Sequence, residues 1–302
     1  MNKLITFILT LTLITCFTFM AFAQDLTSDL ADSVQAGASS AETAQTNQTA
    51  QTDQTSGDTA GQTAVGKAAS EQITADQAAA VQKAQQKQAA AAVDKKISAI
   101  GKVKLNDRKR IRTARKSYDS LEPAAQGFVK KYKILKKAEK KYAKLKKAEN
   151  YRNGLAHYIR TKNGKISKSY SRKLAGYFIK YEKKYRVDAK ALMAIAYHES
   201  RFTASAYNPG GYYGMCQTSA AIGRAAGYST GELYSASNSI HAAAKNLRYN
   251  LSYFRGSYYK AFAGYCAGTG GAARGAFSHS QVKARTDTRA EIKRFLKKKK
   301  YI

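Results

Sequence analysis

Between Gln24 and Val93 the chain carries few large apolar residues, and beyond Val93 such residues recur at spacings of three and four. The first stretch is rich in Ala, Gln, Thr, Ser and Asp and cannot bury enough surface to offset the entropy of ordering it. The second can fold where helices turn those spacings into apolar stripes. A disordered tether over 24–93 followed by helical units is the expectation. Ala and Gln dominate from Ala68 to Val93, so a transient helix is expected near the end of the tether.

The N-terminus reads as an address. Lys3 precedes an apolar run from Leu4 to Phe22, and Ala21, Phe22 and Ala23 form a small-residue cleavage pattern before Gln24. Residues 1–23 are expected to be a cleaved secretory signal, with Cys16 leaving with it and no stable membrane span remaining. Residues 24–93 hold eight acids and three bases, and residues 94–302 hold twelve acids and forty-eight bases. A field of that sign draws polyanions: nucleic acid, anionic membranes or the anionic polymers of a cell envelope. Export excludes nucleic acid as the expected partner and places the chain outside the cytoplasm, secreted or on the cell wall. After signal removal two cysteines remain, Cys216 and Cys266. Such a pair fits either a disulfide or two free thiols.

Residues 94–149 show helical periodicity through Ile97, Ile100, Ile111, Ala114, Tyr118, Leu121, Val129, Tyr132, Leu135, Ala138, Tyr142 and Leu145. Two or three short helices would bury one seam, with Asn106 as an N-cap and Pro123 in a first turn. The positions Ile97, Ile100, Gly101, Val103, Leu105, Ala114, Arg115, Tyr118, Asp119 and Leu121 resemble a small helical module found between domains of bacterial cell-surface proteins. That resemblance implies a spacer or an envelope-binding unit. Asn and Gly residues make 150–166 a connector. From there 167–302 reads as a single mostly helical domain: a helix from Ser167 to Lys184, one capped by Asp188 that ends near Arg201, and one from Ser239 to Phe254. A fourth helix is expected around Tyr258 to Tyr265, and Thr288 to Lys300 closes the domain as a basic amphipathic helix. Glycines at 210, 211, 214, 223, 227 and 231 put loops in its middle.

Leu192, Ile195, Ala196 and Glu199 stand at i, i+3, i+4 and i+7, so an acid shares the face that its helix buries. A carboxylate taken out of water can keep its proton near neutral pH and hand it to a substrate oxygen. Three strings then follow in order: A-L-M-A-I-A-Y-H-E-S at 191–200, G-G-Y-Y-G-M-C-Q at 210–217 and A-G-Y-C-A-G at 263–268. Together they resemble the lytic transglycosylases of the lysozyme-like superfamily, where an apolar helix ending in E-S precedes G-L-M-Q and A-Y-N-A-G, with an N-I pair between. Asn238 and Ile240 match that pair here. The resemblance covers 167–302. It implies a mainly α, lysozyme-like domain with very little β, Glu199 as catalytic acid, Ser200 and Gln217 in a saccharide groove, and Tyr265 beside Glu199. Asn238 joins the expected substrate contacts. Cys266 replaces the family's usual Asn and Cys216 its usual Met, and a paired change of that kind keeps a disulfide between them open.

Tyrosine rings stack on sugars, and Tyr213 with Tyr265 is the pair expected in the groove. Glycosidases of the common kind need two carboxylates, about 5 Å apart for retention or about 6.5 to 9.5 Å for inversion. The only other acid between Ala189 and Thr286 is Glu232, in a turn-like segment. One acid suffices when the substrate supplies its own nucleophile, as when the 6-hydroxyl of a muramyl sugar closes on C1. The expected function is therefore cleavage of the MurNAc–GlcNAc link of peptidoglycan to a 1,6-anhydro product by a monomer. A hydrolytic muramidase on the same fold and a non-catalytic cationic wall-binding protein are the alternatives. Gly227 to Gly231 spell G-x-S-x-G without a preceding strand, and His157, His198, His241 and His279 lack metal spacing. No metal or organic cofactor is suggested.

Overall fold

The computed structural model describes residues 60–302. The expected signal and the first part of the tether lie outside them. The described residues are mainly α with one minimal sheet, and 72–302 pack as one unit. None of the described helices is long and apolar enough to cross a membrane.

The first helix, α1 (Ala60–Ser98), covers much of the expected tether. Ala90, Val93 and Ile97 lie on one face and are buried with Ile111, Ala114, Leu135 and Ala138, so the seam of the small module begins before residue 94. α2 (Arg108–Asp119) and α3 (Pro123–Gln126) follow. Asp107, rather than Asn106, stands at the start of α2, and its carboxylate accepts the Lys104 N–H at 2.7 Å. Pro123 opens α3, where its missing N–H leaves no bond unmade.

The next helix, α4 (Tyr132–Lys162), runs through most of the segment read as a connector. Asn153 and Gly154 are weak helix formers, but tertiary contacts override propensity there. Asn153 accepts a hydrogen bond from Arg172, and Gly154 leaves room for Leu296 and Tyr301, whose atoms lie 2.5 Å and 2.6 Å from where a Cβ would stand. The helix contributes Leu135 and Ala138 to the module core, then Leu155, Ala156 and Ile159 to the core of the C-terminal domain.

That domain continues with α5 (Lys168–Tyr185), capped by the Ser167 hydroxyl on the Tyr170 N–H at 3.1 Å, and α6 (Ala189–Ser200). Ala189 and every residue from Ala191 to Ala196 are fully buried, which makes α6 the central helix. Three two-residue strands follow, β1 (Tyr207–Asn208), β2 (Tyr212–Tyr213) and β3 (Thr218–Ser219), antiparallel in the order β1-β2-β3. Tyr213 lies opposite Tyr207 on one side and Thr218 on the other. Then come α7 (Ala220–Ala225), a 3-10 turn at Gly231–Tyr234, α8 (Ala236–Tyr253), α9 (Tyr258–Ala273) with a break at Gly268, and α10 (His279–Lys298). α10 starts well before the expected Thr288. Ser278 caps it through the Gln281 N–H at 3.3 Å, and Val282, Ile292 and Leu296 form a buried stripe beneath the basic residues.

Asp188 fixes the start of α6. Its carboxylate accepts the Lys190 N–H at 2.9 Å and pairs with Lys190 Nζ at 2.8 Å and Arg289 Nε at 2.9 Å. Its own N–H donates to the Tyr258 hydroxyl at 2.8 Å. Burial by itself would raise this carboxyl, but the Lys190 bonds and charge, with Arg289, hold it below its ordinary value of 3.8. The stability it contributes is therefore present above that value and is lost as pH falls through the lower folded-state value. Asp188→Asn is expected to destabilise the domain by about 1 to 3 kcal/mol at neutral pH. The gap to the wild type should close in melting curves taken below pH 3.8; a gap that stays constant through that range would show that the carboxylate charge contributes nothing.

Candidate active site

Glu199 sits in the last turn of α6, and the backbone behind it is unusual. Arg201 and Phe202 both adopt left-handed conformations, with φ of 51° and 65°. The Arg201 N–H donates to the Tyr197 carbonyl at 2.9 Å and the Phe202 N–H to Ala196 at 3.2 Å, while the Phe202 ring is buried. Two consecutive left-handed non-glycine residues are strained, and such strain persists where the surroundings over-determine it, typically at functional sites. The effect is an abrupt helix end. A cavity of about 450 Å³ opens there, lined by Tyr197, His198, Glu199, Ser200 and Arg201.

The side chain of Glu199 is 21% exposed and carries a partner that the sequence does not announce. Arg285, from α10, donates through Nη2 to Oε1 at 2.7 Å, and its own side chain is only 7% exposed. The desolvated, unpaired acid expected from the stripe is instead a partly exposed acid in an ion pair. Glu199 lies in the last turn of α6 and lines the cavity at the helix end, and α10 supplies the cation.

Ser200, Gln217 and Tyr265 converge on the segment Gly214 to Gln217. The Ser200 hydroxyl donates to the Met215 carbonyl at 2.7 Å, and the Gln217 amide donates to Ala206 at 3.0 Å and Gly214 at 2.9 Å. The Tyr265 hydroxyl donates to the Cys216 carbonyl at 2.7 Å. These side chains brace that segment, and Ser200 joins it to the end of α6. Gln217 is itself left-handed, at φ 46°. Burial, then the nearby Cys216 and Glu199, push the Tyr265 phenol well above its ordinary range, so it stays a neutral donor.

Tyr213 joins another group: its ring lies 5.4 Å from Tyr207 and 6.2 Å from Tyr234, both exposed. Asn238 donates to the Glu232 carbonyl at 3.2 Å and so serves the Gly231–Tyr234 turn. Glu232 is a turn acid, as its neighbours suggested. The Ser229 N–H and hydroxyl donate to it at 2.9 Å and 2.8 Å and hold it below the usual carboxylate range. His198 Nε2 lies 2.8 Å from the Thr288 hydroxyl and 3.1 Å from the Ala284 carbonyl, tying α6 to α10.

The possible disulfide is not formed: Cys216 and Cys266 are free thiols. Both ends of the Cys216 peptide unit are engaged, its N–H by the Ser239 hydroxyl at 3.0 Å and its carbonyl by Tyr265. Its side chain is fully buried, and burial raises both thiols. Arg285 is the residue missed in the sequence. The signal was a cation on the apolar stripe of α10, three residues after Val282 and seven before Ile292.

The family model for the Transglycosylase SLT domain matches residues 176–287, a span that contains Glu199, Gln217, Tyr265 and Arg285. That span is similar to the SLT family where the three strings lie, and the mainly α fold agrees with it. No curated protein matches the chain. Among solved structures it is similar to an inactive mutant of the lytic transglycosylase Slt from Pseudomonas aeruginosa, at 16% identity over 64% of this chain and 36% of that one, with a TM-score of 0.34. The chain thus spans about a third of that protein's length.

Proposed function

We propose that the chain is an exported peptidoglycan lytic transglycosylase that cleaves the MurNAc–GlcNAc β-1,4 bond without water. The observation that carries this reading is a lone carboxyl at the cleft. Glu199 lies in the span that matches the SLT model, with Tyr265 close enough to feel its charge, while Glu232 is engaged by its own turn. Glu199 would give its proton to the leaving glycosidic oxygen as the C1–O bond breaks. The resulting carboxylate would then take the proton of the muramyl 6-hydroxyl as that oxygen bonds C1. In this scheme residues 1–23 direct export, the stretch before Ala90 tethers, the module closed by Ala90 and Val93 of α1 with α2, α3 and the first part of α4 spaces or binds the envelope, and the unit that starts with Leu155 catalyses.

Charge supports an anionic wall polymer as a second contact. A groove of about 850 Å³ between α4 and α5 is lined by Arg152, Lys168, Arg172, Lys173 and Lys180 with Tyr177. Such a surface raises the local concentration of polyanions and is screened by salt.

Product masses test the reaction. Digested peptidoglycan is expected to yield anhydro-muropeptides one water lighter than hydrolysed ends. Hydrated ends alone would reassign the protein as a muramidase, and absence of any cleavage would leave a cationic wall-binding protein.

A further inference from the structure

Forty-eight Lys or Arg side chains lie between 94 and 302, and Arg285 is the one buried cation among the described residues. It stands on the stripe of α10 where an apolar side chain would pack as well. Burying a guanidinium is costly unless its donors are met, and replacing a buried ion pair by apolar residues is often neutral or stabilising. Here the donors are incompletely met: Nη1 donates to the Gln281 carbonyl at 3.0 Å, Nη2 donates to Glu199, and Nε has no partner. Packing therefore does not account for a cation at this position.

The surroundings narrow the role. Tyr265, Cys216 and Cys266 face the pair, and burial raises all three, so they remain neutral. His198 is nearby and is held low by burial and by Arg285. Lys162 and Glu291 pair with each other at 2.8 Å. The guanidinium is anchored to its own helix by Gln281 and directed at a single oxygen of Glu199.

We propose that Arg285 is a positioning residue for the reaction: it holds Oε1 of Glu199, leaves Oε2 as the oxygen that exchanges protons with the glycan, and balances the charge that appears on the carboxyl when its proton departs. This rests on the catalytic reading of Glu199. In the first half-reaction the proton moves from Oε2 to the leaving oxygen and the bond to C1 breaks, leaving a carboxylate paired with Arg285. In the second, the 6-hydroxyl proton returns to Oε2 as the new C1–O bond closes. The arginine forms no bond to substrate, so its effect falls on kcat rather than on KM.

The test is steady-state release of anhydro-muropeptides by the wild type, Arg285→Ala and Arg285→Lys, with melting curves to confirm folding. Arg285→Ala is expected to lose about 100-fold in kcat, with KM within about threefold, and to recover activity saturably on addition of millimolar guanidinium. Arg285→Lys keeps the charge but not the planar fork and is expected to fall between them. A folded Arg285→Ala with wild-type kcat, a loss confined to KM, or a loss that guanidinium does not relieve would overturn the proposal. Should Arg285→Ala not fold, Arg285→Lys decides: a several-fold drop in kcat supports the role and a wild-type kcat refutes it. If the wild type releases nothing, the catalytic reading and this inference fall together; if it does and the Arg285 variants match it, this inference alone falls.

Discussion

Glu199→Gln is expected to lower the release of anhydro-muropeptides by roughly 10²- to 10⁴-fold, the range that a positioned proton donor contributes. A glutamine keeps the shape and an oxygen that can accept from Arg285 Nη2, which lies 2.7 Å from Oε1 in the wild type. It cannot supply or take back a proton. The fold should survive, because α6 is anchored by the buried run from Ala191 to Ala196 rather than by its last turn. Stability should still drop by about 1 to 3 kcal/mol, because the Arg285 guanidinium loses its charged partner while remaining buried. Muropeptide analysis together with a melting curve separates the two effects. A folded variant that cleaves at the wild-type rate would remove Glu199 from the chemistry.

Gly214→Ala is expected to produce a large loss of stability in the C-terminal domain, about 2 to 4 kcal/mol. Gly214 adopts φ 73°, and a Cβ there would press on the Leu233 carbonyl oxygen, with the carbonyl carbon at 2.9 Å and the Ser239 hydroxyl at 3.0 Å. Neither neighbour is free to move: Leu233 is fully buried, and Ser239 holds the Cys216 N–H at 3.0 Å. Gly214 is also pinned by its own N–H on the Ala206 carbonyl at 2.8 Å, and its carbonyl accepts the Gln217 backbone N–H at 3.1 Å. Strain at this point should reach the end of α6 through Ser200, so activity should fall further than the unfolded fraction alone explains. The measurement is a denaturant midpoint alongside muropeptide release; a midpoint equal to that of the wild type would mean that the turn can relax without Leu233.

Much of the domain was legible because its determinants are local. Ser167 and Asp188 cap helices one residue on, and the three-and-four spacing of Leu192, Ile195 and Ala196 marks a buried face. Those features depend on hydrogen bonds and side chains within a turn or two of each other. The run of α4 through Asn153 and Gly154 was not legible, since those residues read as breakers until Arg172, Leu296 and Tyr301 are brought beside them. That α1 packs into the module core before residue 94, rather than forming only a transient helix, was hidden for a related reason. Ala90 looks like filler in a polar tether and becomes core only against Ile111 and Leu135.

The sequence by itself determined a helical, strongly cationic chain with one acid at the end of an apolar helix and a second acid in a turn, because periodicity, capping and charge are local or additive properties. Tertiary structure decided what that acid meets. Arg285 lies 86 residues further along, and only the packing of α10 against the end of α6 sets its guanidinium on Oε1. The same packing engages Ser200, Gln217 and Tyr265 in bracing the segment Gly214 to Gln217 and leaves both thiols free. Long-range pairing of this kind depends on how helices cross, and no spacing along the chain records that angle.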